Sequence, residues 1–451
     1  MTGLRDLFAA HIKTVRDHTE KALSLAAQHE ASYKGIVFHA GTQDYYHADD
    51  HAIFFKPVPH FARFAPVRGP EHLLLFQPGA KPRLWQVVPA DYWYEPPAEA
   101  DHPYAEVLEV TRVATRDEAA AQMGDVSKCA YVGNNPRVAA ALKIALENIE
   151  PKTLMAGLDW YRAEKTAYEV HCLREAARRS GDGHRAVLEG FARGESERRL
   201  HADYLAATDM LELESPYTNI IAWDEAAAIL HYQSKRANSP EPGAVLLIDA
   251  GAVHDGYASD ITRTYANDRA HPVFREILDR MEDMQLGLVD MVGAGRAYLD
   301  LHVKAHEGVA NILSDTGILT TGADDAMQRK LTAPFLPHGV GHHLGIQVHD
   351  VGGRQVTPRG ERLDPPAEHP YLRTTRNLDL GHVVTIEPGL YFIPLLLDPK
   401  RTSADKDAFN WDLIDELIPF GGVRVEDDVL VTANGFENLT RPFVPGHRNS
   451  A

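Results

Sequence analysis

The chain has 451 residues, of which 44% are hydrophobic and 24% charged, a composition typical of a globular protein long enough for two domains. Its 64 acidic residues outnumber its 46 basic residues, giving a formal net charge of −18 with no compensating basic tract. This balance argues against non-specific nucleic-acid binding, and no apolar run reaches the roughly 20 residues that a membrane-spanning helix needs.

The cysteines and the N-terminal residues bear on the cellular compartment of the protein. The chain has only two cysteines, Cys129 and Cys172, and their spacing matches neither a metal-binding nor a redox motif. Arg5, Asp6 and Lys13 lie where a signal peptide would need an apolar core. We therefore expect a cytoplasmic protein.

The N-terminal part is predicted to form an α/β domain. Apolar residues from Leu4 to Ala26 recur at helical spacing and predict an amphipathic helix. A second helix is predicted over 137–148, and the domain is expected to end near Pro151 to Leu158. Short apolar runs divided by glycine, proline and charged turns predict strands at 35–39, 72–76, 83–88 and 129–132.

The remainder of the chain begins with a long helical register from Tyr161. A β-hairpin is predicted over 245–264, followed by helices over 271–293 and 298–314, and strand patterns then dominate. Two irregular segments, 354–379 and 395–418, are expected to form a lid and a rim rather than core, because long irregular segments often border functional sites.

Two acids interrupt the predicted hairpin, Asp249 and Asp260. If His254-Asp255 forms the turn, the acids lie directly opposite each other; if Asp255-Gly256 forms it, they are diagonal neighbours on one face, roughly 7 Å apart. Either register brings two carboxylates together after an apolar strand, where they repel each other unless a cation intervenes. On their own, these acids are equally compatible with solvent exposure or pairing with Lys and Arg.

Histidines and glycines are concentrated in the segment 335–352, FLPHGVGHHLGIQVHDVG. Glycine lets the backbone approach a ligand closely, and neutral imidazole is a common ligand of divalent metals. Packing roles remain an alternative for each histidine separately. The segment contains His338, His342, His343 and His349.

Two later strands each present an acid. The pattern VVTIEPGLYF places Glu387 at the end of an apolar strand, and GVRVEDDVLV is predicted to form one strand over 422–431 with Arg424 and Glu426 on the same face. Four carboxylates would be neutralised by two divalent ions, and His342 adds one nitrogen. This oxygen-rich set favours Mn²⁺, with Co²⁺ or Zn²⁺ as alternatives.

The order of these motifs resembles the pita-bread metallopeptidases, and most closely the bacterial Xaa-Pro dipeptidases (prolidases). The similarity runs nearly end to end and includes SPYTNIIA, LHY, PYLR and FGGVRVED. It implies a creatinase-like α/β domain over 1–158 and a pita-bread α+β catalytic domain over 159–451. The chain departs from the pattern at His343, where many relatives have proline, which affects the shape of the pocket.

The resemblance also implies roles. Asp249, Asp260, His342, Glu387 and Glu426 would ligate two Mn²⁺, with Asp260 and Glu426 bridging, and Glu387 would help to deprotonate the attacking water. His231 or His349 would stabilise the oxyanion or assist protonation of the leaving nitrogen, and Arg424 would orient the site. The implied substrate-binding residues are His338, Arg373 for the substrate carboxylate, Tyr217 and Tyr298 for side-chain pockets, and Asp50 and Trp93, which would cap the partner's site in a homodimer.

The expected activity is hydrolysis of Xaa-Pro dipeptides, with organophosphorus esters as possible side substrates. An Xaa-Pro bond has no N–H, so metal polarisation of its carbonyl suits it better than recognition of the amide hydrogen. The alternatives are an aminopeptidase P, which acts on longer peptides, and a catalytically silent pita-bread fold used as a binding module. Such silent relatives typically lose metal ligands, whereas all five positions are present here.

Overall fold

The computed structural model describes residues 3–93, 102–238 and 243–449, and these form two compact units. The first comprises residues 1–170 together with 355–362, and the second comprises 171–354 and 363–451. The sequence-based boundary between residues 158 and 159 falls inside the helix Lys152–Arg162. None of the helices in the described ranges is long and apolar enough to cross a membrane.

The first unit is built on a five-stranded mixed sheet of order β4-β3-β2-β1-β5. The β1/β2 and β2/β3 pairs are antiparallel, whereas β3/β4 and β1/β5 are parallel. Four strands lie where the sequence predicts them, and β4 was not predicted because its pattern is mostly polar and exposed. The strands are β1 (Ile36–His39), β2 (Leu73–Phe76), β3 (Arg83–Val87), β4 (Glu109–Val113) and β5 (Ala130–Val132).

Helices cover this sheet. The N-terminal helix buries the apolar stripe that predicted it, including Phe8, Ile12 and Val15. The helix predicted over 137–148 is shorter, because it ends at Ala141 and is followed by a separate 3₁₀ turn. The helices are α1 (Leu4–His29), α2 (Pro59–Phe64), α3 (Tyr104–Val107), α4 (Arg116–Met123), α5 (Pro136–Ala141) and α6 (Lys152–Arg162).

The second unit contains small antiparallel sheets rather than one large sheet. The orders are β10-β7-β6 and β11-β14-β15, with the two-stranded pairs β12-β13 and β8-β9. The single strand predicted over 422–431 is interrupted at Val425 and Glu426. The strands are β6 (Ile220–Trp223), β7 (Val245–Asp249), β8 (Val253–His254), β9 (Tyr257–Ala258), β10 (Thr262–Ala266), β11 (Val383–Ile386), β12 (Gly389–Tyr391), β13 (Gly422–Arg424), β14 (Asp427–Thr432) and β15 (Gly435–Asn438).

The later helices of this unit share one large apolar core with the sheets. The first two helices pack on a second core with the sheet that contains Val245–Asp249. The prediction that 395–418 forms rim rather than core is wrong in part, because Leu397, Phe409, Ile414 and Leu417 are buried in the large core. The helices are α7 (Ala167–Ala192), within whose first turn the two units divide, α8 (Glu197–Ala207), α9 (Pro272–Val289), α10 (Tyr298–Asp315), α11 (Ala323–Gln328), α12 (Pro394–Leu397) and α13 (Trp411–Leu417).

Candidate metal centre

The hairpin adopts the second of the two registers that the sequence allows. His254 pairs with Tyr257, so Asp255 and Gly256 form the two-residue turn. Their φ angles are +47° and +86°, and positive values at both central positions are the mark of a type I′ turn. In the same register Asp249 pairs with Thr262, which places Asp260 diagonally across from Asp249.

The predicted ligands from three other segments meet Asp260. Its Oδ2 lies 3.3 Å from His342 Nε2, which is in turn 3.7 Å from Glu387 Oε1. One ligand atom from each of Asp260, His342 and Glu426 lies within 4.8 Å of the other two. Residues separated by more than 160 positions are therefore brought to a single buried site.

Backbone pairing sets these positions. The segment Val340–His342 runs beside β11. Thr385 N donates to His342 O at 2.9 Å, His342 N donates to the Thr385 hydroxyl at 3.1 Å, and Glu387 N donates to Val340 O at 2.9 Å. Gly341 lies between them with φ +148°, and a Cβ at this position would be 2.2 Å from Thr385 O. Only glycine permits this close approach.

The tautomer of His342 is fixed by its neighbour. His342 Nδ1 lies 3.0 Å from the carbonyl oxygen of His343, which can only accept, so Nδ1 carries the hydrogen and donates it. Nε2 is left as a free acceptor facing Asp260. Metal-binding histidines are commonly oriented in this way by a second hydrogen bond. His343 itself is 1% exposed and its ring packs edge-on against that of His382, with centroids 4.8 Å apart.

Arg424 connects the predicted ligand Asp249 with two hydroxyl groups. Its Nη2 donates to Asp249 Oδ2 at 2.7 Å, its Nε donates to the Thr262 hydroxyl at 3.2 Å, and its Nη1 donates to the Tyr391 hydroxyl at 2.9 Å. Thr262 in turn donates to Glu426 Oε2 at 2.7 Å. Arg424 and Glu426 therefore reach the same hydroxyl, which confirms that they share a face.

The chain of hydrogen bonds from Arg424 ends at His338. The His338 Nδ1 donates to Gly339 O at 2.8 Å, so its Nε2 accepts from the Tyr391 hydroxyl at 2.9 Å. Burial, together with the charge of Arg424, lowers the pKa of His338 to about 4. The sequence reasoning missed Thr262 and Tyr391, although Thr262 is two residues from Asp260 on the same strand face and Tyr391 lies on the strand that pairs with Arg424.

The acids of the centre are buried close together, and this raises the pKa values of three of them. Burial, reinforced by Asp260 and Glu387, raises the pKa of Glu426 well above its usual range. Burial likewise raises the pKa of Glu387 to about 7, and it raises that of Asp249 although Arg424 opposes the shift. Burial alone would lower the pKa of His342, but the neighbouring carboxylates of Asp260 and Glu387 raise it.

The donor set fits divalent metal. Four carboxylates face one guanidinium, so the cluster carries excess negative charge in a buried site, where unbalanced charge is costly. Asp249 Oδ1 is buried without a hydrogen-bond partner among the described residues. Oxygen donors with one imidazole nitrogen suit Mn²⁺ and related ions.

The other predicted histidines lie close to this cluster. His349 packs its ring edge-on against His342, with centroids 4.4 Å apart. The residue is exposed as a whole, yet partial desolvation of its ring and the charges of His342 and Arg373 lower its pKa to about 4. His231 is also exposed, and its charge acts on both His338 and His349.

The predicted pocket residues have different environments. Arg373 is exposed in the segment after Leu363, and Tyr217 is half-buried beside Asp249 and Asp260. Burial of the Tyr217 hydroxyl, and the charges of these acids, raise its pKa well above the usual range. Tyr298 is fully buried and donates to Thr385 O at 2.6 Å, so it supports the strand that leads to Glu387.

Asp50 and Trp93 belong to the first unit and are exposed, Trp93 to 76%. Trp93 contacts the neighbouring ring of Tyr92, which is also exposed. Part of the PADYWY motif, from residue 94 onward, lies outside the described residues. Their role at a partner's site stays a prediction.

Comparison with protein families identifies the chain. Residues 171–433 match the model of metallopeptidase family M24, and residues 6–160 match that of the Xaa-Pro dipeptidase N-terminal domain. The chain therefore belongs to metallopeptidase family M24. The acids and the histidine described above all lie within the matched metallopeptidase region.

Relatives named Xaa-Pro dipeptidase match almost the whole chain. One from Citrobacter koseri is 38% identical over 444 residues, and one from Salmonella newport is 39% identical over 448 residues; each alignment covers 98% of this chain and 99% of the relative. The resemblance to the bacterial Xaa-Pro dipeptidases is confirmed.

Solved structures show the same fold. Escherichia coli aminopeptidase P with the inhibitor Pro-Leu has a TM-score of 0.73 at 22% identity, covering 96% of this chain and 97% of that one. Aminopeptidase P II from Yersinia pestis has a TM-score of 0.72 at 22% identity, covering 97% and 98%. The expected architecture, an α/β domain followed by a pita-bread domain, is confirmed.

Proposed function

We propose that this chain is a cytoplasmic, homodimeric Xaa-Pro dipeptidase that uses two Mn²⁺ ions held by Asp249, Asp260, His342, Glu387 and Glu426. The observation that carries the proposal is the convergence of Asp260, His342, Glu387 and Glu426 in one buried cluster. The relatives' shared name, Xaa-Pro dipeptidase, supports the choice of substrate.

The chemistry divides between the bound ions and the chain. Two divalent ions, when bound, polarise the substrate carbonyl and acidify water. We assign to Glu387 the deprotonation of that water, because its carboxylate lies in the cluster, with Oε1 3.7 Å from His342 Nε2. Arg424 keeps Asp249 in position through the 2.7 Å ion pair.

Three further residues near the cluster are assigned roles in catalysis and substrate binding. His349 packs against His342, and the charge of His231 acts on both His338 and His349. We assign to His231 or His349 the stabilisation of the oxyanion or the protonation of the leaving proline nitrogen. Arg373 is the candidate fork for the dipeptide carboxylate, because guanidinium binds carboxylate through directional hydrogen bonds. Its charge acts on His349, in keeping with a position at the same site.

The substrate class is tested by comparing Ala-Pro with Ala-Pro-Ala on Mn²⁺-loaded enzyme. A dipeptidase cleaves Ala-Pro faster, and Arg373→Lys should raise KM for Ala-Pro more than it lowers kcat, because a lysine cannot form the bidentate contact. Faster cleavage of the tripeptide would instead favour an aminopeptidase P. Absence of hydrolysis together with less than one ion per chain after Mn²⁺ loading would favour a binding module.

The proposed dimer has its own test. If Asp50 and Trp93 cap the partner's site, a Trp93→Ala chain and an Asp260→Asn chain are each deficient, but a mixed dimer contains one complete site. Exchanging the two variants by mild dissociation and reassociation should therefore restore activity. A mixture no more active than the sum of its components, with exchange verified by mass, would contradict the capping role.

The proposal also includes a side activity on organophosphorus esters and a location in the cytoplasm. Organophosphorus esters are candidate side substrates because they also present a polarisable oxygen, and they can be assayed on the same metal-loaded enzyme. Cys129 and Cys172 are both buried and form no disulfide with each other, in keeping with a reducing compartment. Fractionation of the source cells tests the location.

A further inference from the structure

Three histidines form a second cluster in the same unit that the proposed reaction does not use. His302 and His306 lie one turn apart on α10, and His369 comes from the irregular segment after Leu363. One ring nitrogen from each lies within 4.8 Å of the other two. The ring centroids are 4.8 Å apart for His302 and His306, 4.4 Å for His302 and His369, and 4.9 Å for His306 and His369.

We propose that His302, His306 and His369 bind a Zn²⁺ ion, separate from the carboxylate centre. Spacing of four residues on a helix places His302 and His306 on one face, as a shared ligand requires. The cluster offers three imidazole nitrogens and no carboxylate, which favours Zn²⁺ over the Mn²⁺ that suits the oxygen-rich centre. A fourth tetrahedral position would be left for water.

The surroundings of the cluster match those of a metal site. His306 Nδ1 lies 2.9 Å from the Thr332 hydroxyl, so this nitrogen is already engaged and Nε2 remains for a metal. His302 is 2% exposed, and its Nδ1 has no hydrogen-bond partner within the described ranges. Burying a polar nitrogen without a partner costs free energy, and coordination would offset that cost.

The protonation state also suits a metal. Burial, with the neighbouring imidazoles, lowers the pKa of His302 to about 2 and that of His306 to about 4. Both rings are therefore neutral at pH 7, which is the form that binds metal. Protonated histidines at these distances would repel one another.

The three ring nitrogens, which lie within 4.8 Å of one another, would approach further to share one ion. Zinc–nitrogen bonds of about 2.0–2.1 Å place tetrahedral donors roughly 3.3 Å apart, so the three rings would turn slightly toward a common point. His369 is half-buried in a segment without helix or strand, where such an adjustment costs little. The ion would tie this segment, four residues before Arg373, to α10.

The experiment separates this site from the carboxylate centre. In an Asp260→Asn background, which weakens that centre, zinc per chain is measured by elemental analysis after equilibration with Zn²⁺ and gel filtration. His306→Ala and His369→Ala should each remove close to one zinc per chain, whereas Glu368→Gln, an exposed neighbour in the same turn, should not. The result does not depend on whether the chain hydrolyses Xaa-Pro bonds.

Cobalt gives a second readout. Co²⁺ bound by three imidazoles and water should show the intense visible bands of tetrahedral cobalt, and His369→Ala should remove them. Thermal unfolding without metal verifies that each variant folds; if His306→Ala does not fold, the half-buried His369 position decides. Equal zinc content in His369→Ala and Glu368→Gln, or a cobalt spectrum unchanged by His369→Ala, would overturn the proposal.

Discussion

Glu426 and Asp427 are consecutive residues, both at most 2% exposed, yet their side chains meet opposite surroundings. Glu426 accepts a hydrogen bond from Thr262 and lies near His342 and the carboxylates of the centre. Asp427 accepts from Arg263 Nη2 and Arg441 Nε, each at 2.7 Å. Two adjacent residues thus present one acid whose charge is balanced by arginines and one whose charge is not.

The pKa values of the two acids shift in opposite directions for this reason. Burial would raise the pKa of Asp427, but the charges of Arg263 and Arg441 hold it below its usual value. Burial and the nearby acids together raise that of Glu426. A buried carboxylate with its own arginines stabilises the fold, whereas an unbalanced group of carboxylates is suited to a cation from solution.

The largest effect is expected from substitution of an acid in the candidate metal centre, where no arginine balances the excess charge. Asp260→Asn should lower hydrolysis of Ala-Pro by about a thousand-fold or more and reduce Mn²⁺ content, while circular dichroism remains unchanged, because Asn removes a ligand charge but keeps the shape. Asp255→Asn in the turn of the same hairpin is the matched control and should remain active. Retained activity in Asp260→Asn would refute the ligand assignment.

For the acid that is paired with arginines, Asp427→Ala should lower the free energy of unfolding by about 3–5 kcal/mol. The reason is that the buried guanidinium of Arg263 would lose its carboxylate partner. Denaturant titration followed by tryptophan fluorescence measures this loss. Asp427→Asn keeps the hydrogen-bonding shape and should lose less. A change below about 1 kcal/mol in the alanine variant would show that Asp427 is not a stabilising ion-pair partner.

The pH dependence of the unfolding free energy tests the comparison at a third acid, Glu282. This residue pairs with Arg441 and His447. Burial would raise its pKa, but hydrogen bonds from His447 and Arg441 lower it to about 2. Because the folded pKa lies below the unfolded value near 4.5, this carboxylate contributes stability above pH 4.5 that is lost as the pH falls toward 2.

The measurement is the difference in unfolding free energy between the native chain and Glu282→Gln. It should be about 2 kcal/mol at pH 7 and shrink below pH 4.5. Glu276→Gln, an exposed glutamate on α9, is the control. A difference that grows on acidification would have the wrong sign for a paired carboxylate.

The smallest effect is expected at the surface. Arg174 makes a two-bond contact with Glu437, at 2.8 and 2.7 Å, but both side chains are 41% exposed. A double-mutant cycle with Arg174→Ala and Glu437→Ala should give a coupling energy below about 1 kcal/mol, because solvent screens the pair. A coupling energy as large as the effect of Asp427→Ala would mean that burial does not determine the strength of an ion pair in this protein.

Local chemistry made much of the centre predictable. Asp249 and Asp260 had to approach each other in either hairpin register, and the preference of Asp-Gly for positive φ explains why the diagonal register forms. Period-two geometry correctly placed Arg424 beside Glu426. These inferences depend on neighbours along the chain, which sequence patterns describe well.

Contacts between distant segments were less predictable. The role of Tyr391 depends on the pairing of β12 with β13, and the burial of Ile414 depends on a core assembled from many helices. The segment 395–418 was interpreted from its mostly polar composition, although Ile414, Leu417 and Ile418 recur at helical spacing. Tertiary packing determined their burial.

Gly341 has a consequence for the redesign of this protein. The residue offers no side-chain atom to metal or substrate, yet a single methyl group there would meet both Thr385 O and the Tyr298 hydroxyl at 2.2 Å. A library that varies substrate preference therefore has to keep position 341 fixed. A position without a side chain thus constrains the design as firmly as the residues that present functional groups.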